Sequence, residues 1–106
     1  MQTFYNVVTT TEFTDWVSTL KDHRVRKAIL QRLTRVATGN FGDAKSVGQG
    51  VNELRIKLGK GNRLYYTIKD QDVIIMLCGG DKTTQTKDIE RAKILRANLC
   101  RHIPNR

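Results

Sequence analysis

The sequence predicts an α+β fold, in which a small and mainly antiparallel sheet packs against helices in the order β-α-α-β-β-β-α. Apolar residues recur at helical spacing in two stretches, residues 10–37 and 84–103. Short runs rich in β-branched and aromatic residues precede and separate these stretches. All 106 residues are expected to form one domain, because a chain of this length can bury one core but not two.

The first part of the chain is predicted to contain one strand and two helices. Residues 3–8 are aromatic and β-branched, which favours a strand. Thr10 or Thr11 can cap the first helix and Asp22 the second, because their side-chain oxygens can accept hydrogen bonds from free backbone amides. Gly39 is typical of a helix end.

The rest of the chain is predicted to contain a loop, three strands and a helix. The loop combines glycines with Asn and Asp. The third strand is apolar at nearly every position, as expected of a central strand covered on both faces, and two glycines follow it. The predicted bounds are a loop over 39–50, strands over 51–58, 63–68 and 72–78, and a last helix from Thr84 or Thr86 to Pro104.

Charge is the most unusual feature of the composition. The chain has 19 Lys and Arg against 10 Asp and Glu, a net charge of +9. Such a balance favours a polyanionic partner, most often nucleic acid, and the alternative is a basic protein without one. We identify no signal peptide at the start and no apolar run long enough to span a membrane.

The cysteines and histidines do not indicate a metal site. Cys78 and Cys100 lack metal-ligand spacing, and neither His23 nor His102 has a neighbour that suggests a site. We therefore predict no metal, no cofactor and a reduced, cytoplasmic protein. A disulfide between the two cysteines is the less favoured alternative.

The predicted hairpin places several cations on one face of the sheet. Side chains alternate between the faces of a strand, so Arg55 and Lys57 point away from their apolar neighbours. Arg63 and Tyr65 share their face by the same alternation. Like charges side by side repel unless an anion lies between them, so this face is predicted to bind phosphates. Glu53 lies on the same face and could instead pair with Arg55.

Three motifs, in this order, resemble the RelE/ParE toxin superfamily, and within it the HigB-type "addiction module killer" branch. The motifs are Gly39-Asn40-Phe41-Gly42-Asp43 with Lys45, Val47 and Gly48, then Gly50-Val51-Asn52-Glu53-Leu54-Arg55-Ile56, then Leu77-Cys78-Gly79-Gly80-Asp81-Lys82-Thr83-Thr84-Gln85 with Asp88-Ile89. The resemblance covers nearly the whole chain. It implies a RelE-like fold and the toxin of a type II toxin–antitoxin module.

The resemblance also implies an activity and partners. RelE-like toxins cleave mRNA in the ribosomal decoding site without a metal. The 2′-hydroxyl of the message attacks the adjacent phosphate, which gives a 2′,3′-cyclic phosphate and a 5′-hydroxyl. A helix-turn-helix antitoxin of the HigA type would hold the toxin inactive, and only their complex would bind promoter DNA.

Five residues are candidates for the cleavage site on this resemblance. Arg55 and Lys57 match basic positions on the family's second strand and would hold the message, with Lys57 also a candidate for proton transfer. Arg63 would bind phosphate through its planar fork. Lys82 would lie near the scissile phosphate, with Asp81 orienting it or acting as a base. The alternatives are a solvated strand face for the cations and a helix-entry carboxylate for Asp81.

Further RNA contacts are predicted around the cleavage site. The candidates are Lys45, Tyr65, Lys60, Arg24 and Lys27. Tyr65 would stack on a base if its ring is exposed, and the alternative is packing in the core. The two cations of the second helix would contact ribosomal RNA, unless they lie on a solvated helix face.

Two other functions remain open from the sequence. A ParE-like protein would poison DNA gyrase and cleave nothing, and one fold hosts both activities. A plain nucleic-acid-binding module would bind RNA with steep salt dependence and leave it intact. The cation cluster favours the nuclease. Its proton acceptor is not identified, because no tyrosine follows Tyr66 and His102 lies far along the last helix.

Overall fold

The computed structural model describes the backbone of residues 4–102 and the side chains of residues 4–99. Within this part, five strands form one sheet and three helices pack on it, which confirms the predicted α+β fold. The elements are β1 (Asn6–Thr9), α1 (Thr11–Thr19), α2 (His23–Ala37), β2 (Ala44–Gly48), β3 (Val51–Ile56), β4 (Asn62–Lys69), β5 (Val73–Gly80) and α3 (Gln85–His102). The predicted outer ends of the first strand and last helix, Thr3 and Pro104, lie outside the described residues.

The strands are arranged in the order β1-β5-β4-β3-β2. β1 runs parallel to β5, whereas the other pairs of neighbours are antiparallel, which confirms a mainly antiparallel sheet. β5 has a strand on each side, as its nearly continuous apolar sequence predicted. The strands that carry Arg55 and Arg63, β3 and β4, are neighbours of each other.

Helices cover both faces of the sheet. On one face α1 and α2 pack on β3, β4 and β5 through residues such as Phe13, Ile29 and Leu64, all of them buried. On the other face α3 packs on the sheet through Ala92 against Val51 and its neighbours. The predicted hairpin face is therefore only partly open, because α3 covers some of it.

The predicted caps of the first two helices are confirmed. The Thr10 hydroxyl accepts a hydrogen bond from the Phe13 amide at 3.0 Å, and Oδ1 of Asp22 accepts one from the Arg24 amide at 2.9 Å. The Thr10 hydroxyl also donates to the carbonyl oxygen of Leu77 at 2.7 Å. This second bond fastens the start of α1 to the centre of β5.

The predicted loop over residues 39–50 is wrong for Ala44–Gly48, which forms the edge strand β2. This short strand has few strand-forming residues, and its antiparallel pairing with β3 satisfies its backbone instead. Gly48 and Gly50 have φ angles of 99° and 78° and supply the tight turn into β3. The composition therefore identified the turn correctly but not the strand before it.

β5 continues through the two glycines that were predicted to follow it. A side chain at Gly79 would overlap the indole of Trp16, and one at Gly80 would overlap the carboxylate of Asp88. The glycines thus allow α1 and α3 to approach the strand from opposite faces. Trp16 packs against the core.

Cys78 is a buried free thiol, whereas the side chain of Cys100 lies outside the described residues. Burial raises the pKa of Cys78 to about 12. Because only the thiolate reacts, Cys78 at pH 8 is expected to alkylate roughly a thousandfold more slowly in the native protein than in urea. Iodoacetamide labelling of a Cys100→Ser variant, followed by mass spectrometry, measures this ratio, and equal rates would contradict it.

No helix within residues 4–102 is both long enough and apolar enough to cross a membrane. Among the same residues, no group of three or more His, Cys, Asp and Glu side chains is placed to hold a metal ion. The absence of a metal from the proposed reaction stays a prediction.

Candidate functional site

The strand register places two arginines directly opposite each other. Arg55 of β3 pairs with Arg63 of β4, and Arg63 pairs with Gly80 of β5. On the far side, the Arg55 amide donates to the carbonyl oxygen of Asp43 at 3.0 Å. Paired residues share a face of the sheet, so these four residues form a line that we call the cross-strand row. The predicted common face of the two arginines is confirmed.

Asp43 forms the acidic end of the cross-strand row. Its Oδ1 lies 3.6 Å from Nε of Arg55, and its Oδ2 lies 3.8 Å from Nζ of Lys57. The Asp43 side chain is 37% exposed, and the Lys57 side chain, just beyond the end of β3, is 83% exposed. Both separations exceed hydrogen-bond length, so the carboxylate oxygens keep free lone pairs.

Glu53 pairs with Arg63 and not, as the sequence suggested, with Arg55. Its Oε2 lies 3.3 Å from Nε of Arg63, and its Oε1 accepts a hydrogen bond from Nε2 of Gln85 at 3.0 Å. The Glu53 side chain is completely buried. The Glu53 carboxylate therefore contacts Arg63 from the buried side of the sheet. Gln85, the first residue of α3, holds this carboxylate in place.

Arg63 is restrained at a second point. Its Nη1 donates to the carbonyl oxygen of Gly61 at 2.7 Å, and 14% of its side chain is exposed. Among the described side chains, the buried Nε atoms of Arg55 and Arg63 lack a hydrogen-bond partner. The Nε atoms of Arg55 and Arg63 are held only by ion pairs with carboxylates. Both guanidinium groups can therefore still donate hydrogen bonds to a bound anion.

Arg32 of α2 organises the acidic end of the row. Its guanidinium donates to the carbonyl oxygens of Phe41, Asp43 and Arg55 at 3.0, 3.2 and 2.7 Å. It also lies against Gly42, where a side chain would crowd it. One arginine thus fixes the backbone of two members of the row, a role that its place in a basic helix did not reveal.

Lys82 and Lys60 lie at the opposite end of the row. Gly61 lies between Arg63 and Lys82. A Cβ at Gly61 would lie 3.5 Å from Nη1 of Arg63 and 3.7 Å from Cδ of Lys82. Lys60 precedes Gly61 in the turn between β3 and β4, and both lysines are exposed. Beside them a cleft of ≈ 370 Å³ lies between this turn and the connection from α1 to α2.

Asp81 is the carboxylate of the turn that leads into α3. Its Oδ1 accepts hydrogen bonds from the hydroxyl and the amide of Thr83. These bonds, the hydroxyl first, lower the pKa of Asp81. A lowered pKa makes it a weaker base, so the geometry favours the alternative of a helix-entry carboxylate.

Of the two alternatives given for Tyr65, stacking on a base and packing in the core, the structure supports packing in the core. Tyr65 pairs with Glu53 across the strands and is completely buried beneath α3, so it has no free face for a base. Strand alternation gave its face correctly but could not show that α3 covers it. Burial, and next the nearby Glu53 carboxylate, raise the pKa of the Tyr65 hydroxyl well above its usual range.

The other predicted RNA contacts are exposed but lie apart. Lys45 lies on β2, where it pairs with Glu53 of β3. Arg24 and Lys27 lie on α2, which covers the opposite face of the sheet, and Arg24 pairs with its own helix cap, Asp22, at 3.1 Å. The structure does not bring these two helix residues into the cross-strand row.

The architecture defines the class of this protein. A mutant of the Escherichia coli toxin RelE in the free state superposes with a TM-score of 0.69 and 17% identity over 88% of this chain and 97% of RelE. The toxin–antitoxin complex RelBE2 of Mycobacterium tuberculosis gives a TM-score of 0.61 and 19% identity over 74% of this chain and 99% of that one. At these identities the likeness shows the fold, which is that of RelE.

The sequence matches the family described as Phage derived protein Gp49-like (DUF891) over residues 15–99, and the chain belongs to that family. A Haemophilus influenzae protein, described as an uncharacterized protein, is 47% identical over 93 residues, which are 88% of this chain and 94% of that protein. The predicted membership of the RelE/ParE superfamily is confirmed.

Proposed function

We propose that this protein is the toxin of a type II toxin–antitoxin module, of the HigB-like branch, and that it cleaves mRNA on the ribosome. The observation that carries the proposal is the pair of opposed arginines, Arg55 and Arg63, with exposed lysines at both ends. Such a line of cations is suited to a phosphodiester backbone. The RelE fold supports the same activity.

In this proposal the phosphate at the cleavage step lies between the two arginines. Arg63 is held in place by buried Glu53, so its fork is preorganised for the charge that develops on the phosphate oxygens. The attacking 2′-oxygen forms a bond to phosphorus and the bond to the 5′-oxygen breaks. Lys82 neutralises the leaving 5′-oxygen, and Lys57 holds the message. The fixed cations supply positive charge, so no metal ion is required.

The flanking parts of the message would follow the exposed cations. The cleft beside Lys60 and Asp81 has room for a neighbouring nucleotide. Lys45 extends the basic surface toward the edge of the sheet, and Arg24 and Lys27 would contact ribosomal RNA.

The proposed partners follow from the same class. The Mycobacterium tuberculosis neighbour is a toxin–antitoxin complex, which supports a cognate antitoxin for this chain. We expect a helix-turn-helix antitoxin of the HigA type, with acidic or apolar surface toward this basic protein. The complex would bind promoter DNA, and the free toxin would act in the cytoplasm.

Induction of the protein without its partner is expected to produce cleaved messages with 5′-hydroxyl ends and to arrest translation. Arg55→Ala and Lys82→Ala should each lower cleavage about 100-fold or more, because each removes a charge that stabilises the transition state. Mapping of message 5′ ends, with and without prior phosphorylation, measures both effects. A 2′-deoxy nucleotide before the cleavage step should stop the reaction.

Lys87→Ala is the matched control, because Lys87 is an exposed cation on α3 outside the row. It should cleave at the wild-type rate. Intact messages in growth-arrested cells would contradict the proposal, and gyrase-linked DNA breaks in those cells would support the ParE-like alternative.

A further inference from the structure

A reaction that begins at a 2′-hydroxyl requires a group to accept its proton. Four carboxylates lie in or beside the cross-strand row, and three of them are already engaged. Glu53 is completely buried and holds Arg63 and Gln85, and Asp81 holds Thr83 at a lowered pKa. Asp88, which lies over Gly80, accepts a hydrogen bond from the Thr84 hydroxyl. The fourth carboxylate, Asp43, accepts no hydrogen bond from another described side chain and is partly exposed.

The position of Asp43 also fits the geometry of the displacement. Attacking and leaving oxygens lie roughly in line on opposite sides of phosphorus, so proton acceptor and proton donor must lie on opposite sides of the phosphate. Neighbouring strands are about 4.8 Å apart. Asp43 therefore lies one strand spacing beyond Arg55 on one side. On the other side Gly80 lies one strand spacing beyond Arg63, and Lys82 comes two residues after Gly80.

We propose that Asp43 is the general base of this reaction, an assignment that rests on the proposed mRNA cleavage. The 2′-hydroxyl proton passes to a carboxylate oxygen of Asp43 as the 2′-oxygen bonds to phosphorus. The bond to the 5′-oxygen breaks, and that oxygen takes a proton from the Lys82 ammonium. Arg55 of β3 and Lys57, just beyond its end, face the Asp43 carboxylate, and Arg32 of α2 holds the Asp43 backbone in place.

The test is single-turnover cleavage of a ribosome-bound message over a range of pH. The wild-type rate should be level across neutral pH, because the protein supplies the proton acceptor. Asp43→Asn should lose about 100-fold or more at neutral pH. Its rate should then climb about tenfold per pH unit without levelling off, because hydroxide must remove the proton. Asp43→Glu should recover part of the rate and the level region.

Two controls separate proton transfer from structure. Asp72→Asn removes an exposed carboxylate just before β5 and should keep the wild-type profile. Urea unfolding should show that Asp43→Asn is folded. A message with sulfur in place of the 5′-oxygen has a leaving group that needs no proton. This message should rescue Lys82→Ala but not Asp43→Asn.

The outcomes distinguish this inference from the proposed function. A wild-type protein that cleaves no message overturns both. A wild-type protein that cleaves, with Asp43→Asn within threefold of its rate and with the same level region, overturns the role of Asp43 alone. Rescue of Asp43→Asn by the sulfur message would place Asp43 on the leaving side and also overturn it.

Discussion

Arg63→Ala is expected to lower the free energy of unfolding by about 3–5 kcal/mol, because it leaves the buried carboxylate of Glu53 without its ion-pair partner. The free energy of unfolding of a native protein is typically about 5–15 kcal/mol, so the expected loss is a large fraction of the whole stability. Cleavage should fall about 100-fold or more for a separate reason, the loss of a phosphate ligand. Urea unfolding and message cleavage measure the two effects independently.

The double variant Glu53→Gln with Arg63→Ala separates these effects. It buries no charge, and the amide at position 53 can still accept a hydrogen bond from Gln85, so most of the lost stability should return. Cleavage should stay low. Recovery of cleavage in the double variant would contradict the role of Arg63 in binding phosphate, and failure to recover stability would contradict the ion-pair explanation.

Gly79→Ala is expected to destabilise the protein by about 1–3 kcal/mol, because the added methyl group overlaps the indole of Trp16 in a packed core. Backbone conformation is not the reason, since the φ angle of Gly79 lies outside the left-handed region. The midpoint and slope of urea unfolding measure the change.

A double-mutant cycle with Trp16→Leu tests this explanation. Leucine leaves room above the strand, so Gly79→Ala should cost less than about half as much in that background. Equal costs in the two backgrounds would show that contact with Trp16 is not the cause.

Much of the fold could be predicted because its signals are local. Helical spacing and the caps Thr10 and Asp22 located α1 and α2, and alternation placed Arg55 and Arg63 on one face. The strand Ala44–Gly48 was missed because its short, glycine-bounded sequence becomes a strand through pairing with β3. Pairing between distant segments leaves no periodic signal in either one.

The candidate site was predicted in part for the same reason. Its cations were visible as a charge pattern, but their carboxylate partners were not. The first motif contained Asp43 and the second contained Glu53, yet only the register shows which arginine each one faces. Arg32 resembled any basic residue of α2, and its three carbonyl acceptors come from other parts of the chain.

The sequence by itself determined the class of fold, the superfamily and the presence of a cationic hairpin, because periodicity, capping and motif order are properties of neighbouring residues. Tertiary structure alone decided which charges are free to act. It buried Tyr65 under α3, engaged Glu53 with Arg63, and left Asp43 partly exposed at the end of the cross-strand row. Burial and pairing depend on segments far apart in the chain, and those contacts decide whether a charged side chain supports the fold or faces a ligand.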